Sequence, residues 1–473
     1  MNVETLPGSA THAVGGGARR LLTLAAAVLT ACASLALSGA TTQASARVGS
    51  SCTVAPQPTT GPAATDSFYQ YRGSTSLCAI APGTVLNTRS IAWHVASLAL
   101  PVTVVQLLYR TTNALGEADT GVTSVLLPPG GVTASTRLIG YGSYYDSLNP
   151  EDEPSVTFAG AGYSSGTELT TIETTDLLPL LLAGDTVSVA DTEGQTADFA
   201  AGPEYGYTTL DGLRAALNST ATNLSSSAKV ALVGYSGGAI ATSWAAQEAS
   251  SYAPDIESRL VGASMGGLLV DPDHNLHYIE GSSTWAGVMP MAIVGLARAY
   301  AVSFSQYLSA NGNAVVAAMQ NDNINEAETN YPGITWSDLA APQYPEPEDV
   351  PPLVTIANRL ILGSAGMPIV PELIAQGAGG QQDGTNPSAT YGPGDGVMIA
   401  GDVRSYAREV CASGDPVEYQ EFADLSHEET EAPWLADTLT WLTARFAGIP
   451  APQDCSTIAP GNSLAPVRVR NTN

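Results

Sequence analysis

Residues Val230 to Gln247 read Val-Ala-Leu-Val-Gly-Tyr-Ser-Gly-Gly-Ala-Ile-Ala-Thr-Ser-Trp-Ala-Ala-Gln. The first four are a buried-strand pattern, and Ala239 to Gln247 are good or acceptable helix formers. Between them Gly234-Tyr235-Ser236-Gly237-Gly238 matches Gly-x-Ser-x-Gly. A strand that turns at once into a helix holds the turn residue in a strained conformation, with its side chain above the sheet. The residues two before and two after must be small, or strand and helix collide. Gly234 and Gly238 meet that need, with Tyr235 as the intervening residue. The helix N-terminus leaves N–H groups unpaired, so the Gly237 N–H is placed to receive the oxyanion of a carbonyl attacked by Ser236. The plain alternative is a Gly/Ser turn in an ordinary sheet. The apolar strand before it and the small-residue helix after it favour the elbow.

A serine nucleophile needs a base and an acid to orient that base. The chain has five histidines. His12 falls in the leader, His94 in a strand pattern, and His274 and His277 in Asp271-Pro-Asp-His-Asn-Leu-His277. His427 follows the strand pattern Val417–Phe422 and precedes the last helix, the place from which a loop reaches over the elbow. The chain order Ser, Asp, His also fits. Asp395, in Gly394-Asp-Gly-Val-Met398, is the candidate acid. Asp383 is its rival, and Asp402 is less suited because it opens a helix; an Asp-Gly turn is the ordinary reading of such a residue. A second oxyanion donor is expected from the loop after the third sheet strand, Tyr144-Tyr145-Asp146, through the Asp146 N–H. Two histidines three apart beside carboxylates could be ligands, but a polar entrance to the helices that follow explains them as well.

The rest of the chain alternates strand and helix patterns. Strands are expected at Ser90–Val95, Val102–Arg110, Thr120–Leu127, Arg137–Gly142, Thr186–Ala190, Arg259–Gly266 and Pro371–Gln376. Helices are expected at 208–219, 287–308, 313–320, 353–362, 400–410 and 429–447. Such alternation predicts a mostly parallel sheet covered by helices on both faces. The helical block between two sheet strands predicts a cap, or lid, inserted over the C-terminal edge of the sheet, where ligands bind in such folds. The division is a core of 47–270 and 367–449, a cap of 271–366, and a tail of 450–473 held only by Cys455.

Lys and Arg number 17 against 44 Asp and Glu, a net charge of −27. Such an anion repels polynucleotides, so no nucleic-acid partner is expected. Residues 1–46 read as an export signal: Arg19-Arg20, an apolar run from Leu21 to Leu37, then Ala44-Ser45-Ala46. Leu29-Thr-Ala-Cys32 also fits the box before a lipidated cysteine, so the destination is extracellular or, alternatively, lipid-anchored at the cell surface through Cys32. Cleavage leaves Cys52, Cys78, Cys411 and Cys455, an even count that implies two disulfides. Of three possible pairings, sequence proximity favours Cys52–Cys78 and Cys411–Cys455.

Taken together, several segments resemble the secretory lipase family of fungi and actinobacteria, the group of yeast lipase A. They are Phe68-Tyr69 with Gly83-Thr-Val-Leu, Gln106-Leu-Leu-Tyr-Arg-Thr-Thr112, Tyr144-Tyr-Asp-Ser147 with Pro154-Ser155, and Asp191-Thr-Glu-Gly194. Gly234-Tyr-Ser-Gly-Gly238, Gly394-Asp-Gly-Val397 and Ser426-His427 with Trp434-Leu435 complete the set. The likeness spans nearly all of the mature chain. It implies an α/β-hydrolase fold with an inserted helical cap, and a triacylglycerol lipase or other carboxylic ester hydrolase. It implies Ser236 as nucleophile, Asp395 as acid, His427 as base, and Gly237 and Asp146 at the oxyanion hole. The implied partner is a lipid or other ester substrate, met at a lipid interface through the cap, with no cofactor and no metal. In the family the strand ending Gln-Gly runs almost straight into its Asp. Here a Gly/Asn-rich loop separates Gln376-Gly377 from Asp395, which keeps Asp383 in contention.

Overall fold

A computed structural model describes residues 52–470; the export signal and Cys32 lie outside them. Nine strands form one sheet in the order β1-β2-β3-β5-β4-β6-β7-β8-β9. The strands are β1 Val85–Val95, β2 Leu98–Thr112, β3 Ala118–Leu126, β4 Leu138–Gly142, β5 Thr186–Ala190, β6 Val230–Tyr235, β7 Leu260–Gly266, β8 Glu372–Gly377 and β9 Val417–Phe422. The first three form an antiparallel meander whose last strand pairs antiparallel with β5. From β5 through β9 every pair is parallel. The two longest strands differ in burial: β1 is exposed or half-buried except at Trp93, while β2 is buried from Val104 to Thr111. The parallel strands β4, β5, β6 and β8 are buried at every residue, as strands covered on both faces must be.

The chain reverses direction across the sheet at β4. Its neighbours are β5 on one side and β6 on the other, so the loops leaving β4 and β6 diverge and open a crevice at their C-terminal ends. Helices Gly202–Asn218 and Gly237–Tyr252 pack against each other over this part of the sheet. Three glycines make the approach possible. A Cβ on Gly234 or Gly142 would run into the Gly238 carbonyl, and one on Gly238 into that of Gly142.

Between β7 and β8 lie helices Pro272–Ile279, Val288–Ala299, Ala310–Ala318, Ile324–Asn330 and Pro351–Arg359, in the block read from sequence as inserted. The helix expected to continue to Leu308 stops at Ala299. No proline or glycine ends it. Ala301 turns left-handed at φ 51°. Arg298 uses the helix end to reach the carbonyls of Leu148, Ala197 and Gln320 at 2.8, 3.2 and 2.5 Å, so tertiary bonds outcompete a further turn. The helix expected from Thr208 begins earlier, at Gly202, with Pro203 in its first turn.

Both favoured disulfides are present, Cys52–Cys78 and Cys411–Cys455. The tail is held by more than Cys455. Asn462 donates to Asp402 and to the Tyr391 carbonyl, Asn358 pairs with Val467 in both directions, and the Arg470 N–H donates to the Glu348 carbonyl. Polar segments of this kind carry no apolar periodicity, so the sequence gives no sign of their docking.

Candidate active site

Ser236 follows β6 and precedes helix Gly237–Tyr252. Its backbone sits at φ 52°, ψ −122°, a strained region for a residue with a Cβ. The turn is held by the Ser236 N–H donating to the Gly266 carbonyl at 2.9 Å. The strain lifts Oγ out of the sheet, where it stands 2.8 Å from Nε2 of His427.

His427 is the first residue of helix His427–Phe446. Ser426 and Glu429 form a capping box there, which fixes the entry of the chain into the helix. The imidazole is nearly buried. The His427 backbone N–H donates to the Asp395 carbonyl at 2.7 Å, its backbone carbonyl accepts from the Tyr235 hydroxyl at 2.5 Å, and the Trp285 ring stands edge-on to the imidazole with centroids 5.2 Å apart. Nδ1 lies 2.8 Å from Oδ2 of Asp395. Asp395 is fully buried and its remaining acceptor sites are filled: Oδ1 accepts from the N–H groups of Val397 and Met398, and Oδ2 from Nε2 of Gln376. Burial opposes a charged imidazole, but the Asp395 carboxylate outweighs it by charge and hydrogen bond, with Asp383 and Glu431 adding their fields. The His427 pKa is raised above its ordinary value.

The long Gly/Asn-rich loop does not hold Asp395 away from His427. It leaves after Gly377, makes a short 3-10 turn at Gly380–Asp383, and returns. The Gly380 N–H donates to the Gly394 carbonyl at 2.9 Å and Thr385 Oγ1 to the Gly396 carbonyl at 2.6 Å. Its two ends therefore close on each other, and Gly377 and Asp395 come into contact. Asp383 ends half-buried beside Gly396, with its pKa raised by burial; the imidazole faces Asp395. Asp402 is elsewhere, paired with Nδ1 of His274 at 3.1 Å. His94 lies in β1, with Nδ1 against the Phe158 carbonyl.

Asp146 follows β4 at φ 28°, and its carbonyl accepts from the N–H of Ile324 at 2.9 Å. Its carboxyl lies directly over Gly237, where any Cβ would overlap it. Burial, against the opposing pull of His427, raises its pKa to about 7. Beneath this loop are two carboxyls that sequence reasoning did not single out. Glu173, fully buried, accepts from Ser143 Oγ at 2.6 Å and the Tyr144 N–H at 2.7 Å. Glu193 accepts from the Tyr205 hydroxyl at 2.9 Å and, more weakly, from the Ser147 N–H. Desolvation raises both pKa values well above the usual range. They act on the loop through its backbone, and the only signal for Glu193 was its place in Asp191-Thr-Glu-Gly194.

Two cavities meet at Ser236. One is lined by Gly237, Ile240, Val288, Met289, Ile293 and Leu296 among others. The other is lined by Tyr144, Glu168, Leu169, Ile172, Glu328, His427, Glu428 and Glu431 among others. Ser236, Asp146, Trp285 and Ile324 border both.

A mostly parallel sheet, with a serine on the strained turn after one central strand and a histidine after the last, is the α/β-hydrolase fold. Comparisons with known proteins agree. A family profile for secretory lipases matches residues 161–344. A probable inactive lipase of Mycobacterium tuberculosis is 31% identical over 376 residues, 78% of this chain and 79% of the relative. Lipase 10 of Candida albicans is 29% identical over 428 residues, 86% of each chain. The crystal structure of Candida antarctica lipase A in its closed state superposes with a TM-score of 0.73 at 26% identity, covering 87% of this chain and 91% of that one. The chain belongs to the secretory lipase family. Its relatives are lipases and esterases, and the two disulfides and the family's secretory character go together with an extracellular place.

Proposed function

We propose that this protein is an exported serine hydrolase that cleaves carboxylic esters of long-chain acids, acylglycerols above all, through an acyl-enzyme on Ser236. The observation that carries the reading is His427 standing between Ser236 Oγ and Asp395 Oδ2, 2.8 Å from each. In this reading Nε2 takes the Oγ proton as the serine attacks the ester carbonyl. Asp395 holds the tautomer with Nδ1 protonated and stabilises the imidazolium that forms. The backbone N–H groups of Gly237 and Asp146 receive the oxyanion, each such donor contributing about 3–4 kcal/mol to the transition state. His427 then protonates the leaving alcohol, activates a water, and returns its proton as the acid departs.

The acyl chain is assigned to the cavity lined by Val288, Met289, Ile293 and Leu296. Hydrocarbon walls stabilise each buried methylene by about 0.8 kcal/mol. The alcohol is assigned to the other cavity, whose carboxylates keep a polar group hydrated. The inserted helices act as the cap, since their residues wall both cavities, and contact with a lipid interface would fall to them.

Hydrolysis of p-nitrophenyl esters from C2 to C16 by wild type and Ser236→Ala tests the assignment. The expected result is turnover that rises with chain length and falls by at least about 10⁴-fold in the variant. Turnover confined to short chains would make the protein an esterase without a lipid preference. A folded wild type without turnover at any length would overturn the reading and align this chain with its relative described as inactive.

A further inference from the structure

Away from Ser236, helix Pro272–Ile279 and the short turn Pro347–Asp349 bring three metal-ligating side chains together. Asp273 and His277 are four residues apart on one helix, so they share a face. Glu348 comes from the turn. One ligand atom from each lies within 4.8 Å of the other two, and Nε2 of His277 is already 3.1 Å from Oε1 of Glu348.

Two further observations suit these side chains to a cation. Asp273 is only 2% exposed, yet its Oδ2 takes no hydrogen bond from any described residue; the buried Oε2 of Glu348 takes none either. Buried carboxylate oxygens are ordinarily bonded, so such orphans need a partner. The charge count is also unbalanced. Asp271, Asp273, Glu348 and Asp402 face His274 and His277, and the more distant charge of Arg470 acts on Glu348. His274 is engaged by Asp402 at 3.1 Å and Asp271 at 3.6 Å. Arg470 directs its guanidinium to Glu346 and Asp349, at 3.7 and 3.8 Å, rather than to this trio.

We propose that Asp273, His277 and Glu348 bind a divalent transition-metal cation, zinc by preference, with water at the remaining position. One imidazole nitrogen and two carboxylate oxygens suit that ion better than the all-oxygen shell calcium prefers. In a tetrahedral site with bonds near 2.0–2.1 Å, ligand atoms stand about 3.4 Å apart. The present spread closes to that by side-chain rotation, since His277 and Glu348 are only half-buried. The two segments so joined lead into walls of the apolar cavity: Leu276 and Ile279 on one, Leu353 and Ala357 on the helix after the other. The metal's role is a clamp between them. It takes no part in chemistry at Ser236, and the site stands whether or not the proposed hydrolysis does.

The test is calorimetric titration of the EDTA-treated full chain with zinc, manganese and calcium chlorides, beside thermal unfolding. The variants are Asp273→Asn, His277→Gln and Glu348→Gln. The expected result is one saturable zinc per chain, tighter than calcium, with Tm raised by about 2–4 °C at saturation. Each variant should weaken zinc at least tenfold while circular dichroism stays native. If a helix variant fails to fold, Glu348→Gln alone carries the test. No saturable zinc, or several weak ions bound equally by wild type and variants, as adventitious binding to so acidic a surface would give, overturns the proposal.

Discussion

The cavity that runs from Ser236 beneath Val288, Met289 and Ile293 is walled by hydrocarbon, whereas the one on the other side of the same serine sets Glu168, Glu328, Glu428 and Glu431 among Leu169, Ile172 and Ile324. Both belong in part to the helices inserted between β7 and β8, yet they ask opposite things of a ligand. The apolar side gains by excluding water. The acidic side cannot exclude it cheaply: burial, then the field of Glu428, raises the Glu328 pKa to about 7, and the other carboxylates need solvation or a partner. A molecule spanning both must be apolar at one end and polar at the other, with its reactive bond at the junction. An ester of a long-chain acid with a small polar alcohol, such as a monoacylglycerol, has that form.

The largest effect that would break this account lies at the junction. Asp395→Asn should lower kcat by about 10⁴-fold, because the amide presents the wrong partner to Nδ1. Asp383→Asn should cost less than about tenfold. Stopped-flow rates on a p-nitrophenyl ester compare the two, and a reversal would move the acid to Asp383. Next in size is the apolar side. Ile293→Trp should deny burial to about three methylenes, worth roughly 2.4 kcal/mol or about 60-fold in kcat/KM for a C16 ester. The C4 ester should be spared, and equal losses on both would show that this cavity does not hold the chain.

The pH profile sharpens the same junction. His427 must be neutral to act as base and its pKa is raised, so activity is lost as pH falls through a value above the ordinary 6.5. Asp146 is neutral below about 7 and charged above it. Its charge beside the oxyanion opposes the transition state, so kcat/KM should fall about tenfold as pH rises past that value. Asp146→Asn keeps the N–H and should abolish only the alkaline limb. A limb unchanged in that variant would remove Asp146 from the profile. The smallest effect belongs to the acidic side. Matched butyrate esters of a cationic, a neutral and an anionic alcohol should be hydrolysed in that order. Glu328→Gln with Glu428→Gln should reduce the contrast by about twofold to fivefold, as should high salt. An unaltered order would assign the alcohol elsewhere.

These two sides were unequally legible in the sequence. The parallel sheet and Ser236 follow from local pattern, because a strand-to-helix turn imposes its glycines within five residues. His427 follows from its place after the last strand. Asp395 and Asp383 could not be separated, because what distinguishes them is the closure of a loop through Gly380, Gly394 and Thr385, and no local periodicity records that contact. The burial of Glu173 and Glu193 was hidden for a related reason. A buried carboxyl has the same letter as a solvated one, and only tertiary burial raises its pKa. The acidic composition does not distinguish these loop supports, or the carboxylates of the second cavity, from the solvated acids around them.

The most direct test of the central claim is mass spectrometry of the protein treated with a long-chain p-nitrophenyl phosphonate, followed by peptide mapping. The account predicts one adduct per chain, on the peptide that carries Ser236, absent from Ser236→Ala and slowed in His427→Ala. An adduct on another residue, or none on a folded protein, would contradict it.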